Sequence, residues 1–283
     1  MKEFWYLFRQ NRGAVIGLAL VLGIAVIALL APLIAPYEPI TVFDQALRIP
    51  PLWAQGGHAQ FPLGTDDLGR DLLSRLIYGS RVSLGIGFFV VIFNLFFGLI
   101  LGLVAGSFGG WVDAAIMRLM DIVLALPSIL LAIVVVAILG PSLINTVIAV
   151  GVVTLPNIVR VVRASILVEK KKNYVVASKS FGASWFRIYL INVLPNCMAP
   201  LLIQASFGFS DGILNAAALG FLGLGAQPPI PEWGTMLSDS RAYIESASWL
   251  VTLPGLCILV VVIAFNLLGD GLRDALDPKV KRA

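Results

Sequence analysis

A single histidine, His58, and two cysteines, Cys197 and Cys257, are all that 283 residues offer in imidazole and thiolate metal ligands. The cysteines form no C-x-x-C pair and fall near or within hydrophobic runs, where reduced cysteine acts as a packing residue. One histidine in a loop makes neither a metal site nor a catalytic base. A G-x-x-x-x-G-K-[ST] phosphate loop, zinc-ligand spacing and a nucleophile elbow are also missing. Charge is scarce as well: 13% of residues are charged and 59% hydrophobic, against about 25% charged in soluble domains. The chain is an integral membrane protein, and no cofactor is expected in it. Its net charge of +4 is too modest, and too concentrated in loops, to suggest nucleic-acid binding.

What the sequence has is long uncharged runs. Gly13 to Tyr37 carries no charge; at about 1.5 Å per residue it exceeds a hydrocarbon core of about 30 Å. It is also longer than the ~7–15 apolar residues of a signal-peptide core, so an uncleaved first span is expected. Val82 to Val112 makes a second span, and Gly98, Gly102 and Gly106 recur in it at the spacing of close helix packing. Ala114 to Leu139 makes a third and Leu143 to Val162 a fourth, set antiparallel by the Gly140-Pro141 break. A fifth runs from Pro195–Pro200 to about Leu222, and Ser246 to Gly269 makes the sixth. The expectation is an all-α membrane protein of six transmembrane helices. Residues 1–81 would hold an N-terminal cytoplasmic segment, the first span and an outer loop; residues 82–283 would form the five-span core.

Basic residues set the orientation. Arg160, Arg163, Lys170, Lys171, Lys172, Lys179 and Arg187 stand against one acid, Glu169, which places this loop in the cytoplasm. Lys2, Arg9 and Arg12 at the start, and Lys279, Lys281 and Arg282 at the end, put both termini on the same side. The loop from Pro36 to Ser80 is then outside. In its "GTDDLGRDLLSRL" stretch, Thr65 or Asp66 is expected to cap a short helix, and Asp66, Asp67 and Asp71 to pair with Arg70 and Arg75 in preference to a metal. In the second outer loop, "QPPIPEW" cannot be regular helix.

Within the basic loop, Tyr174, Ala177, Phe181, Trp185 and Ile188 share one side at helical spacing, opposite Lys172, Lys179 and Arg187. That pattern describes an amphipathic helix outside the bilayer. It fits a helix lying on lipid, a cap on the protein's own bundle, or a docking helix for a soluble partner.

Polar groups inside the spans are few, and such residues face a bundle interior or a wet path. Asp121 follows Arg118 at i+3, which favours a structural ion pair. Asp211 has no cation within a helical turn. Gln204, Asp211 and Asn215 fall along one face of span five, while Asn94, Asn145 and Asn266 are the other uncharged candidates. Gln204, Asp211, Asn215 and Asp121 are thus translocation-path candidates, with interhelical packing as the alternative.

The segment "YVVASKSFGASWFRIYLINVLPN", Tyr174 to Asn196, resembles the cytoplasmic loop of ABC-importer permeases, patterned E-A-A, three residues, Gly, nine residues, I-x-L-P. Ala177, Gly182, Leu194 and Pro195 match it; Val176, Ser178 and Asn192 depart from it. "LGTDDLGRDLLSRLIYGSR", "DIVLALPSILLA", "ALGFLGLGAQPPIPEWGTMLSD" and "NLLGDGLRDALDPK" extend the resemblance from Leu63 to Lys279, to the peptide branch (dipeptide, oligopeptide, nickel) and most of all to its dipeptide-permease subunit. The resemblance implies a type I ABC-importer permease architecture in the bacterial inner membrane. It also implies a homologous second permease, two cytoplasmic ATPases carrying ATP and Mg, and an outer substrate-binding protein. A coupling loop at about 163–196 would contact an ATPase through Tyr174, Ala177, Ser178, Phe181, Gly182, Ala183, Trp185 and Pro195, making the chain a transport subunit and not an enzyme. The main rival is an ion-coupled secondary transporter using Asp211 or Asp121; no inverted internal repeat supports that architecture.

Overall fold

A computed structural model describes residues 2–276; the tail with Lys279, Lys281 and Arg282 lies outside them. Eleven α-helices follow in order: α1 Lys2–Gln10, α2 Arg12–Leu29, α3 Ala31–Ile34, α4 Leu72–Phe108, α5 Gly110–Ala125, α6 Ser128–Leu139, α7 Leu143–Glu169, α8 Asn173–Ser180, α9 Met198–Phe221, α10 Trp233–Asp239 and α11 Trp249–Leu276. Among the described residues the only strand-like pairings are two isolated bridges, Val42 with Arg70 and Thr65 with Asp71. Among the described residues five helical segments are long and apolar enough to cross a membrane, and six when α5 and α6 count as one bent span. The all-helical, multi-span fold is therefore as the sequence indicates.

The third span is not one rod. Leu126 and Pro127 adopt extended backbone, ψ 142° and 129°, because the proline ring pushes its predecessor out of the helical region. α5 and α6 meet there at 96°. The second span also differs from expectation: α4 runs 37 residues from Leu72, absorbing the short helix expected before Val82 and crossing residues 81 and 82 unbroken. Its cap is Asp71, which accepts from Ser74 N and Oγ at 2.8 and 2.6 Å. Thr65 and Asp66, the caps expected from the sequence, shape the preceding loop instead. Thr65 Oγ1 accepts from Ile49 N at 2.8 Å, and Asp66 pairs with Arg70 at 2.6 Å and Arg75 at 3.4 Å. His58 does no more than accept from Gln60 N in a turn.

α4 and α7 form the spine. A Cβ on Gly98, Gly102 or Gly106 would stand 2.3, 2.5 or 2.9 Å from Ile158, Val162 or Ile166 of α7. The three glycines are the slots into which that branched ridge fits, as small-residue spacing predicts. In the same interface Asn94 donates to Thr154 at 2.6 Å. α11 packs on α2 and α9, closing the bundle. Near the start of α4, α10 is locked to it: Trp233 Nε1 donates to Leu76 O at 3.1 Å. Buried Glu232 caps α10 through Gly234 N and Thr235 N, both at 2.8 Å.

Candidate functional site

At the opposite end from α10, α7 continues to Glu169 and the chain turns through Lys170–Lys172 into α8. The sequence pattern treats Tyr174 to Ile188 as one helix, and the structure corrects this. α8 ends in a Schellman turn: Ala183 N donates to Ser178 O at 3.1 Å and Gly182 N to Lys179 O at 2.9 Å. Gly182 holds the left-handed position at φ +74°, where a side chain is strained. A Cβ there would meet nothing within 4 Å in this chain. Gly182 thus serves a bend, and no backbone packs against it here.

Beyond the bend lie a π-helical stretch, Arg187–Val193, and a 3-10 turn, Leu194–Cys197, leading into α9. The buried side of α8 is Val175, fully enclosed among Ile166, Ile188, Tyr189 and Val193. The Tyr174–Phe181 stripe is outside that core. Phe181 is 91% exposed at the tip, with Ala177 exposed beside it and Ser178 half-buried. Trp185 and Ala183 are half-buried, and Trp185 stacks at 5.5 Å on Phe108 of α4 and lies tilted at 5.4 Å against Tyr189. Trp185 therefore braces the bundle, while Phe181 projects from it. Pro195 is exposed in the 3-10 turn.

A polar web holds α8 to its surroundings. Tyr174 donates to Glu169 at 2.6 Å and accepts from Asn196 at 3.2 Å, and Lys172 pairs with Glu169 at 2.7 Å. Burial, and then the neighbouring Glu169 carboxylate, push the Tyr174 hydroxyl up to about 12, so it remains a donor at any physiological pH. Asn192 donates to Ser178 at 3.2 Å. Lys170 reaches back to Gly106 O at 2.8 Å, and Arg163 makes a bidentate pair with Asp113 of α5. These contacts tie α8 to the end of α7, and α7 in turn to α4 and α5. Glu169, Lys170 and Asn196 were not singled out as site residues from the sequence, since their contacts depend on the bend.

In the membrane interior the structure brings Gln204 and Asp211 into one cleft with Asn94, Thr154 and Asn157. It does not bring in the other two candidates. Asn215 turns back onto its own helix, donating to Asp211 O at 2.8 Å. Asp121 pairs with Arg160 of α7 at 2.6 Å, not with Arg118, because facing helices bring the α7 guanidinium to it. Thr154 and Asn157 were missed by sequence; their i,i+3 spacing flanking Pro156 is the signal that marks them. Among the described residues no cluster of His, Cys, Asp and Glu could hold a metal ion.

Residues 98–282 match the model of the "binding-protein-dependent transport system inner membrane component". This chain belongs to that family. Residues 1–51 match the N-terminal transmembrane domain of oligopeptide transport permease C. A "Di/tripeptide transport system permease protein DppC" of Pseudomonas aeruginosa is 58% identical over 283 residues, covering 100% of this chain and 93% of that protein. The "Dipeptide transport system permease protein DppC" of Escherichia coli is 58% identical over 282 residues, covering 100% and 94%. Among solved structures, an inward-facing MetNI methionine ABC transporter matches at a TM-score of 0.59 and 20% identity, covering 72% of this chain and 97% of that one. The last likeness bears on fold alone. The chain is thus a multi-pass membrane permease of the ABC-importer kind.

Proposed function

We propose that this chain is one of two permease subunits of an ATP-driven importer that carries dipeptides, and other short peptides, across the bacterial cytoplasmic membrane. The observation that carries the reading is its 58% identity along its whole length to dipeptide and di/tripeptide permeases. A glutathione permease of Shigella flexneri is 44% identical, which makes that tripeptide the natural competitor. ATP and Mg belong on two cytoplasmic ATPases, and a binding protein delivers cargo on the outer side. Both termini and α8 face the cytoplasm, in keeping with the basic residues clustered there.

In this reading α8 is the docking helix. ATP favours the closed ATPase dimer, and a ligand shifts a conformation only through such differential affinity. The groove receiving Phe181 moves as the dimer closes. Val175 transfers the displacement to the core by packing, and Lys170 and Arg163 transfer it by charge. The access of the central cleft then switches from outside to inside.

The test is reconstitution of the full assembly in proteoliposomes, with uptake of labelled Ala-Ala measured against tripeptide, oligopeptide, glutathione and nickel competitors. ATP-dependent dipeptide uptake that needs the ATPases supports the proposal. Uptake driven by an ion gradient without them would establish the secondary-transporter alternative.

A further inference from the structure

The cleft lined by Asn94 of α4, Thr154 and Asn157 of α7, and Gln204 and Asp211 of α9 lies near the midpoint of each of these helices. Its interior holds about 10 Å³, the space of one water-sized group. Its two unmatched groups are both acceptors. Thr154 directs its hydroxyl proton to Val150 O at 2.8 Å, so its oxygen is left to accept from Asn94 Nδ2. That fixes which way the Asn94 amide points. Asn94 Oδ1 is then an acceptor with no partner, on a side chain only 2% exposed.

Asp211 adds the second unmatched acceptor. Among the described residues none of the ion pairs includes it, and its residue stands open on a face of α9 that this chain leaves uncovered. A carboxylate and an amide oxygen without donors, at mid-membrane depth, call for a compact group that is all donor. An ammonium is such a group, with three N–H donors and no acceptor.

We propose that this cleft is a passage subsite for the free amino terminus of the transported peptide, whose ammonium donates to the Asp211 carboxylate and to Asn94 Oδ1. The proposal rests on the peptide-permease reading above and deepens it. Every unblocked di- or tripeptide carries this group whatever its side chains, so a site built on it accepts the class and ignores the sequence. Gln204 and Asn157 flank the same cleft with amides that turn to suit the following residue. A lysine or arginine of the adjoining permease is the competing source of positive charge.

The assembled transporter, with its ATPases and binding protein, is tested during turnover with two photoreactive dipeptides, p-benzoylphenylalanyl-alanine and alanyl-p-benzoylphenylalanine. The amino-terminal probe is expected to crosslink preferentially to the segment from Gln204 to Asp211, and Asp211→Asn to abolish that preference. Peptide moved per ATP hydrolysed should fall about tenfold in Asp211→Asn, the loss of one hydrogen bond to a charged group, and recover in Asp211→Glu. Equal labelling by the two probes, or wild-type uptake per ATP in Asp211→Asn, overturns the proposal. Failure of Asp211→Asn to assemble with the second permease also overturns it, assigning the carboxylate to a partner's cation. If the wild-type complex moves neither probe nor Ala-Ala, the peptide reading itself has failed.

Discussion

Asn192 donates its side-chain amide to the Ser178 hydroxyl at 3.2 Å, and these are two of the three positions at which the Tyr174–Asn196 loop departs from the family pattern. The pattern has Ile and Ala there; this chain has two polar residues that satisfy each other across the bend. The third departure, Val176, is exposed, so an apolar side chain stands on the outward face of α8 where the pattern has a carboxylate. Inside the loop, Glu169 supplies a carboxylate from the end of α7, held by Tyr174 and Lys172.

The pair predicts a double-mutant cycle. Ser178→Ala strands the Asn192 amide, and Asn192→Ile strands the hydroxyl; each should cost about 1 kcal/mol. The double variant should recover most of one loss, with a coupling of at least ~0.5 kcal/mol. Thermal unfolding of the purified subunit measures it. Strict additivity would show that the hydrogen bond does not stabilise the loop.

Gly182 separates the needs of the fold from the needs of docking. At φ +74° any L side chain should cost about 1–2 kcal/mol, but no atom of this chain blocks one. Gly182→Ala should therefore weaken α8 modestly. Gly182→Asp, which also sets a charge on the outward surface, should abolish coupling while the subunit remains inserted and assembled. ATP hydrolysis and peptide uptake, measured side by side, decide it. Wild-type uptake in an assembled Gly182→Asp complex would remove α8 from the coupling role.

The element pattern was legible in the sequence because hydrocarbon demands long uncharged runs, and six spans follow from counting them, the third of which is bent in the structure. The Gly98–Gly102–Gly106 stripe was legible for the same reason: spacing alone puts the three on one face. The bends were harder. Pro127 lies in a run apolar enough to read as continuous, and only the backbone shows that the proline wins over hydropathy. Tyr174 to Ile188 keeps helical periodicity across Gly182, so periodicity hides the break that the glycine makes. The partner of Asp121 was missed because Arg160 is brought to it by the packing of α7, and sequence adjacency favoured Arg118. The cleft was half legible. Gln204 and Asp211 share a face of α9, but Thr154 and Asn157 join them only because α7 packs on α9, and Asn94 enters through the close approach of α4 and α7.

That close approach makes Gly98→Ala informative. The added methyl would stand 2.3 Å from Ile158 Cγ2, so α4 and α7 must separate or Ile158 must leave its rotamer, at about 1–3 kcal/mol. Because Asn94 and Thr154 lie one turn away, the variant should also disturb the cleft and lower uptake. Gly98→Ala combined with Ile158→Val, which removes only the Cδ1 methyl and leaves Cγ2 in place, should not rescue it. Combination with Ile158→Ala should rescue in part, since it removes Cγ2 but leaves Cβ at 2.9 Å from the added methyl. Detergent thermal midpoints and uptake rates give both readouts, and equal rescue by the two partners would show that the clash is not at Cγ2.

Glu232, at the start of α10, provides the pH-dependent test. It is buried, and its carboxylate takes Gly234 N, Thr235 N and the Ser83 hydroxyl. Burial raises its pKa, and the hydrogen bonds oppose that rise without cancelling it. A carboxyl whose folded pKa is raised binds its proton more tightly in the native state. The stability tied to that proton is complete below the unfolded value and is lost as pH rises through the folded value. Thermal midpoints should therefore decline with rising pH across that window in the wild type, and the decline should be smaller in Glu232→Gln. Glu232→Ala should cost about 1–3 kcal/mol at neutral pH by stranding buried N–H groups, loosening α10 from α4. A wild-type profile identical in slope to that of Glu232→Gln would show that Glu232 does not titrate within the folded range.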